Sequence, residues 1–217
     1  RDKLVTGVQT CALPILATVD GDLIVLGVGG KMGPTLARMA KRAAPSKRVI
    51  GVARFSDPSL ATSLREHGVE PLPCDLLDRQ AIARLPGRSE GVNNVVFMAG
   101  HKFGATGNPA FTWAMNVAVP WMVAEHYRDC RIVAFSTACV YPFARTDGPG
   151  ANESEPAIPP PGDYANSCVG RERMFEHASR QWGTPGRLVR LSYAIDMRYG
   201  VLRDVADAVF AGQPIDL

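Results

Sequence analysis

The sequence has few of the features that mark metal, membrane or nucleic-acid binding. Its five cysteines are an odd number without CxxC spacing, and it contains no HExxH motif or paired Cys/His cluster. No apolar run approaches the roughly 20 residues that a membrane span needs. The 24 basic and 21 acidic residues are scattered along the 217-residue chain, so no cationic stripe for nucleic acid stands out. We therefore predict a reduced cytoplasmic protein with no metal site and no nucleic-acid or membrane partner.

The N-terminal stretch VTGVQTCALPI, residues 5–15, is too short and too polar for a signal peptide. It matches the translation of a common sequencing-library adapter. We therefore expect residues 1–15 to be an assembly artefact outside the fold, which also removes Cys11 from the cysteine count.

Short apolar runs alternate with longer segments of helical periodicity from Asp22 onward. The predicted strands are 23–27, 48–53, 69–73, 94–99, 131–136 and 187–192. The predicted helices are 32–44, 59–67, 78–85, 113–127, 164–182 and 201–211. Because parallel neighbours need a crossover connection, the alternation predicts an α/β fold with a doubly wound parallel sheet.

Two segments interrupt this alternation. Residues 141–163 are rich in proline and have no period, and loops of this length in compact domains are usually functional. Residues 201–211 form a helical segment with nothing after it to pack against. We therefore expect a C-terminal substrate lobe that is truncated in this chain.

A glycine-rich stretch, VLGVGGKMGPTLARMA, follows the first predicted strand. Gly27, Gly30 and Gly33 have the spacing GxxGxxG at the mouth of the first predicted helix. Such a turn needs glycines, because its backbone must approach a pyrophosphate closely while the helix N-terminus faces the anion. With the intervening Lys31 and Met32, this stretch predicts the phosphate-binding part of a dinucleotide site.

The end of the second strand bears on the choice between NAD and NADP. Arg54 stands about 20 residues after Gly33, where an acid would bind the ribose hydroxyl of NAD and an arginine the phosphate of NADP. The nearest acid, Asp57, lies beyond that position. The pattern leans toward NADP, although an arginine exposed in a surface turn is the alternative.

Further motifs follow the later strands in a consistent order. They are CDLLD with Asp75 and Leu76, FMAG with Ala99 and Gly100, WAMNV with Asn116, FSTACVYP with Thr137, and GDYANSC with Tyr164. Together with the glycine loop, they resemble an extended short-chain dehydrogenase/reductase of the NAD-dependent epimerase/dehydratase family. The resemblance implies that residues 16–217 form an NAD(P)-binding Rossmann-like domain with the start of the substrate lobe.

The resemblance also implies roles for single residues. It assigns adenine contacts to Asp75 and Leu76, and it places the helix asparagine, which also holds a proton-relay water, at Asn116. Tyr164 would be the proton donor or acceptor, and Thr137 would orient the reacting oxygen. Moving a hydride at a carbinol carbon does require a matching proton transfer at the oxygen, which a phenol can perform.

One charge of the family pattern is missing. Four residues after Tyr164, where the family's lysine lowers the tyrosine pKa and holds the nicotinamide ribose, stands Cys168. The cysteine can be a small apolar residue in a protein that only binds its cofactor, and nothing near it supports a redox nucleophile. Alternatively, Lys102, after the fourth strand, supplies the cation. Arg171, about 10 Å along the helix axis from Tyr164, is the poorer substitute.

A third alternative needs no cation, because a protonated tyrosine is already a competent acid for carbonyl reduction. The sequence thus predicts an NAD(P)-dependent oxidoreductase or epimerase acting on a sugar-like or other small carbonyl or carbinol substrate. Ala138 and Cys139, where family dehydratases carry acids, count against dehydration. The alternative function is a non-catalytic NAD(P)-binding regulatory or redox-sensing protein. A small-molecule substrate is the predicted partner, and a homodimer stays open.

Overall fold

The structure is a computed structural model that describes residues 15–102, 107–145, 147–192, 194 and 200–215. The expected artefact at residues 1–15 therefore lies outside the described residues except for Ile15.

Six parallel strands form one sheet. They are β1 (Asp22–Leu26), β2 (Val49–Ala53), β3 (Glu70–Pro73), β4 (Val92–Phe97), β5 (Arg131–Thr137) and β6 (Gly186–Leu191). Their spatial order is β3-β2-β1-β4-β5-β6, and every neighbouring pair is parallel. The predicted doubly wound parallel sheet is confirmed. The strand order reverses between β1 and β4, and ligands of such sheets bind outside the carboxyl ends at that switch point.

Helices connect the successive strands as crossovers, and one further helix follows β6. They are α1 (Gly33–Ala43), α2 (Pro58–Glu66), α3 (Arg79–Ala83), α4 (Pro109–Trp113), α5 (Val119–His126), α6 (Asp163–Trp182) and α7 (Val201–Phe210). Among the described residues, no helix combines the length and the apolar character that crossing a bilayer would take.

The predicted helix 113–127 differs from the structure. The helical segment begins earlier, at Pro109, and contains a π-helical turn, Ala114–Ala118, between α4 and α5. Pro120 has no N–H, so the normal bond back to residue 116 cannot form. The Val119 N–H instead donates to the carbonyl of Ala114, five residues back. Such π turns are frequent at functional sites, and this one carries Asn116.

Two apolar clusters cover the two faces of the sheet. Alternate residues of β1 serve both, since Ile24 and Leu26 belong to one cluster and Leu23 and Val25 to the other. Helices α1 and α2 contribute to the second cluster, and α3, α5 and α6 to the first. Burial on both faces explains why β1 is apolar throughout instead of alternating.

An ion pair between a fully buried carboxylate and a half-buried arginine connects α6 to β6. Glu172 of α6 is completely buried, and its carboxylate accepts hydrogen bonds from Nε and Nη2 of Arg190 at 3.0 and 2.8 Å. The Ser136 hydroxyl of β5 donates to the same carboxylate at 2.6 Å. Arg190 also donates to the Tyr141 hydroxyl, so the pair connects α6 and β6 to the chain that follows β5.

Arg190→Met should lower the free energy of unfolding by about 3–5 kcal/mol, because the carboxylate of Glu172 would stay buried without a partner. Urea denaturation measures this change. Arg187→Met, on an exposed position of the same strand, is the control and should stay within about 0.5 kcal/mol of the wild type. A cost no larger than that of the control would contradict the prediction.

Candidate active site

The glycine loop is shaped by backbone contacts that exclude a side chain. Gly27 has a φ of +88°, and a Cβ there would lie 2.5 Å from the backbone N of Ala99. A Cβ at Gly33 would lie 2.3 Å from the carbonyl oxygen of Val28. Met32, at the N-cap of α1, makes no side-chain hydrogen bond to the helix, so the first-turn amides remain suited to an external anion.

A cleft of about 440 Å³ opens at the carboxyl ends of β1, β2 and β4. Most of the predicted cofactor residues line it: Gly27, Gly30, Arg54, Asp75, Leu76, Ala99 and Gly100. The remaining ones, Lys31, Met32, Gly33, Lys102 and Cys168, are not part of its lining. Within these, Gly33 lies beneath the loop against Val28, whereas Lys102 and Cys168 lie beside Tyr164.

The end of β2 forms the part of the cleft that carries Arg54. The arginine is exposed, and the next residue, Phe55, adopts a φ of +52°, which is rare for a residue other than glycine. The nearest acid, Asp57, caps α2 by accepting a hydrogen bond from the Ser59 N–H at 2.9 Å. The Ser59 side chain, followed by this backbone hydrogen bond, lowers the pKa of Asp57. The Asp57 carboxylate is therefore engaged in capping α2.

The Asp75–Leu76 pair forms another part of the cleft wall. Leu76 is buried against the core, whereas the exposed carboxylate of Asp75 accepts a hydrogen bond from the Leu77 N–H at 3.0 Å. This turn presents a polar edge and an apolar surface side by side, a combination that suits a purine base.

Tyr164 and Thr137 meet where β5 ends and α6 begins. Burial, followed by the neighbouring Cys168, raises the pKa of Tyr164 to about 12, although a hydrogen bond with Thr137 and the charge of Arg171 oppose the rise. The Thr137 hydroxyl also accepts from the Cys139 N–H at 3.2 Å and so starts the turn after β5. The tyrosine is consequently a phenol at neutral pH, with a polar group at its oxygen.

Cys168 is completely buried. Burial raises its pKa, while the charge of Arg171 and a hydrogen bond with Tyr164 act in the opposite direction. A neutral thiol in this position packs as a small apolar side chain and supplies no charge to Tyr164.

Two cations lie near Tyr164. The Nζ atom of Lys102 is 5.8 Å from the centroid of the tyrosine ring, at the outer limit of a cation–π contact. Arg171 is buried, and its guanidinium donates from Nη1 to the Phe135 carbonyl at 2.9 Å and from Nη2 to Asn116 Oδ1 at 2.7 Å. The separation of Arg171 and Tyr164 along the helix axis overstates the distance between their side chains. Helical side chains lean back toward the N-terminus, so the Arg171 side chain points toward the end of α6 where Tyr164 lies.

Asn116 is completely buried and uses all of its hydrogen-bonding capacity. Nδ2 donates to the carbonyl of His101 and to the Ser167 hydroxyl, at 3.0 and 2.9 Å. Oδ1 accepts from the His101 N–H and from Arg171, at 2.9 and 2.7 Å. No donor or acceptor of Asn116 remains for a relay water. Of the two roles expected for this residue, the arrangement therefore favours holding the helix over holding the water.

Sequence reasoning missed the residues that complete this network. Ser167 donates to the carbonyl of Tyr164 at 2.8 Å and connects the tyrosine to Asn116. The backbone of His101 is held by the same asparagine. Ser167, directly before Cys168, was a signal that the sequence offered. Nothing in the sequence indicated the hydrogen bonds of the His101 backbone.

Gly100 is a close-packed neighbour of this network. A Cβ at this position would lie 2.3 Å from Nη2 of Arg171 and 3.1 Å from Oδ1 of Asn116. The guanidinium and the amide therefore occupy the space that a side chain would need.

Gly100→Ala should displace the guanidinium from Asn116 and lower the free energy of unfolding by about 1–3 kcal/mol, as overpacking does. Gly107→Ala is the control, because a Cβ there meets no described residue within 4 Å. Urea denaturation of both variants tests the prediction, and equal stability of the two would contradict it.

The fold and the site together define a doubly wound, Rossmann-like domain with a glycine-rich turn at its switch point. The NAD dependent epimerase/dehydratase family model matches residues 23–195. The chain belongs to this family. No curated protein sequence matches the chain.

Solved structures share the fold. UDP-glucuronic acid 4-epimerase from Bacillus cereus, in complex with NAD, is 16% identical with a TM-score of 0.69, and the match covers 89% of this chain and 64% of that one. A UDP-galactose 4-epimerase is 22% identical with a TM-score of 0.69, covering 88% and 63%. The Bordetella bronchiseptica enzyme WbmG, in complex with NAD, is 19% identical with a TM-score of 0.72, covering 91% and 62%. The chain thus spans less than two thirds of the length of these proteins.

Proposed function

We propose that the chain is the cofactor-binding part of an NAD(P)-dependent oxidoreductase or epimerase that acts on a sugar-like or other small carbonyl or carbinol compound. The observation that carries the proposal is that Tyr164, at the start of α6, and Thr137, at the end of β5, lie beside each other at the carboxyl edge of the sheet, where the glycine loop also lies. Membership of the epimerase/dehydratase family supports it. Similar structures were solved with NAD or with UDP-glucuronic acid and NAD.

The residues present fit a dinucleotide. The backbone at Gly27 and Gly33 leaves no room for a Cβ, and the start of α1 has no side-chain cap, which supports a pyrophosphate at the loop. Asp75 and Leu76 would hold the adenine. When bound, the cofactor supplies or accepts the hydride.

The protein's own contribution is proton transfer. With its pKa raised to about 12, Tyr164 keeps its proton at neutral pH and can donate it to a carbonyl oxygen that receives a hydride. Thr137, whose hydroxyl lies beside the phenol, would orient that oxygen. Carbonyl reduction therefore follows most directly from this site, whereas alcohol oxidation requires the phenol to lose its proton first.

A non-catalytic NAD(P)-binding protein is the second candidate, because a neutral, buried Cys168 stands in the position of the family's lysine. The oxidoreductase or epimerase would transfer a hydride, whereas the non-catalytic protein would not. Binding of NADPH without its oxidation by any member of a broad carbonyl panel would favour this second function.

Tyr164→Phe should reduce carbonyl-dependent NADPH oxidation by about 100- to 10,000-fold, since it removes the proton donor, while NADPH binding persists. Absorbance of NADPH measures the first property and fluorescence titration the second. Tyr141→Phe, which removes a phenol bonded to Arg190, is the control and should retain turnover.

The pH dependence separates the two directions of the reaction. Because the pKa of Tyr164 lies at about 12, the phenol stays protonated throughout the neutral range, and the reduction rate should not fall there. Alcohol oxidation should rise with pH over the same range. A reduction rate that falls steeply near neutral pH would exclude Tyr164 as the donor.

The preference between the two dinucleotides is proposed to be for NADP through Arg54, which stands at the cleft while Asp57 is committed to α2. Arg54→Ala should weaken NADPH binding by about 10- to 150-fold, the value of a hydrogen bond to a charged group, and leave NADH binding unchanged. Isothermal titration calorimetry measures both. Arg65→Ala, an exposed position of α2, is the control. Equal losses for both dinucleotides would contradict the preference.

A further inference from the structure

Arg171 carries a positive charge into the interior of the site. Its hydrogen bonds, in the part of the chain that the structure describes, go to neutral oxygens of Phe135 and Asn116, and the buried Nε has no hydrogen-bond partner there. The carboxylate of the next residue, Glu172, pairs with Arg190 instead. A buried guanidinium without a carboxylate in direct contact lowers the stability of the fold.

The guanidinium is held by several parts of the fold. It lies over the ring of Phe97 in β4, at 5.7 Å, and is bonded to β5 and to the π-helical turn. Gly100 leaves the space that Nη2 occupies. The position of the charge is therefore fixed by the packing of the domain, and a buried charge is screened little by solvent.

The charge lies on the Tyr164 side of α6. Arg171 is three residues after Cys168, which puts the two side chains on neighbouring positions of one helix face. Its positive charge acts on both Tyr164 and Cys168, lowering the pKa of each against the effect of burial. Cys168 is the position from which the family's lysine would act.

We propose that Arg171 is the cation of this site: a positioning residue that stabilises the phenolate of Tyr164 and orients Asn116, in place of the lysine that is missing at Cys168. This inference rests on the proposed function only where it gives Arg171 a part in proton transfer. The effect of its charge on Tyr164 does not depend on the reaction. Cys168 is completely buried, and its neutral thiol adds no second charge on the helix face that Arg171 shares.

Lys102 is the competing cation. Among the described residues, the groups that face Tyr164 are Thr137 at the end of β5, Cys139 after it, Cys168 and Arg171 on α6, and Lys102 after β4. Lys102 approaches the face of the ring from an exposed position, where water and salt weaken its field. Arg171 acts from the buried side, and we therefore assign the larger effect to it.

The test is the ionisation of Tyr164 in the 217-residue chain, which requires no substrate. Replacing all tyrosines by 3,5-difluorotyrosine lowers phenol pKa values into a range in which folded protein can be titrated, and ¹⁹F NMR follows each ring. Tyr164→Phe identifies the signal of interest. Arg171→Met should raise the pKa of residue 164 by about one to three pH units, and Lys102→Met should raise it less. An unchanged pKa in Arg171→Met, or an equal or larger change in Lys102→Met, would overturn the proposal.

A charge exchange keeps the test decisive if Arg171→Met does not fold. Cys168→Lys alone would bring two buried cations together and should lower the thermal unfolding midpoint strongly. In Cys168→Lys/Arg171→Met one cation remains, so this variant should fold, and its pKa at residue 164 should return toward that of the parent protein. Failure of the double variant to recover stability relative to Cys168→Lys would refute the shared role. None of these measurements uses turnover, so an absence of NADPH oxidation would refute the proposed function while leaving this inference standing.

Discussion

The buried guanidinium of Arg171 is the constraint around which the half of the domain that contains Tyr164 and Thr137 is arranged. A charge away from water must be surrounded by oriented oxygens and polarisable groups, and here β5, the π-helical turn and the ring of Phe97 provide them. Gly100 is required because the guanidinium fills its side-chain space. Asn116, once bonded to this charge, has only the orientation that also holds His101 and the start of α6.

The cofactor half depends on close approach of backbone to backbone. β1, β4 and the start of α1 come together at Gly27 and Gly33, where no other residue fits. The reversal of strand order at the same place opens the cleft. Sheet topology thus puts the glycine loop at the edge where the Tyr164–Thr137 pair also ends, although these groups are far apart in the chain.

If Cys168 occupies the position of the family's lysine, as the resemblance implies, the site has no charge at that position but keeps its polar groups. The thiol is neutral and buried, and Tyr164 remains a phenol whose oxygen interacts with Thr137. A site of this kind is best suited to giving a proton. In the proposed reaction, proton removal would depend on the cation that acts on the phenol, for which we propose Arg171, so the electrostatics of α6 would influence the direction of that reaction.

The order of strands and helices, the glycine loop and the positions of Thr137 and Tyr164 followed from the sequence, because local periodicity and turn chemistry are written in neighbouring residues. The π-helical turn also had a local cause in the sequence, because Pro120 has no N–H to donate. That property predicts an interruption of the helix but does not predict that the interruption is a π turn. The partners of the buried groups did not follow. Whether Arg171 reaches Asn116 depends on how α6 packs against β4 and β5, and an axial distance along one helix contains no information about that packing. The sequence by itself therefore determined the order and type of the strands and helices and predicted candidate site residues, and only the tertiary structure decided which charge lies buried beside Tyr164 and which groups bind it.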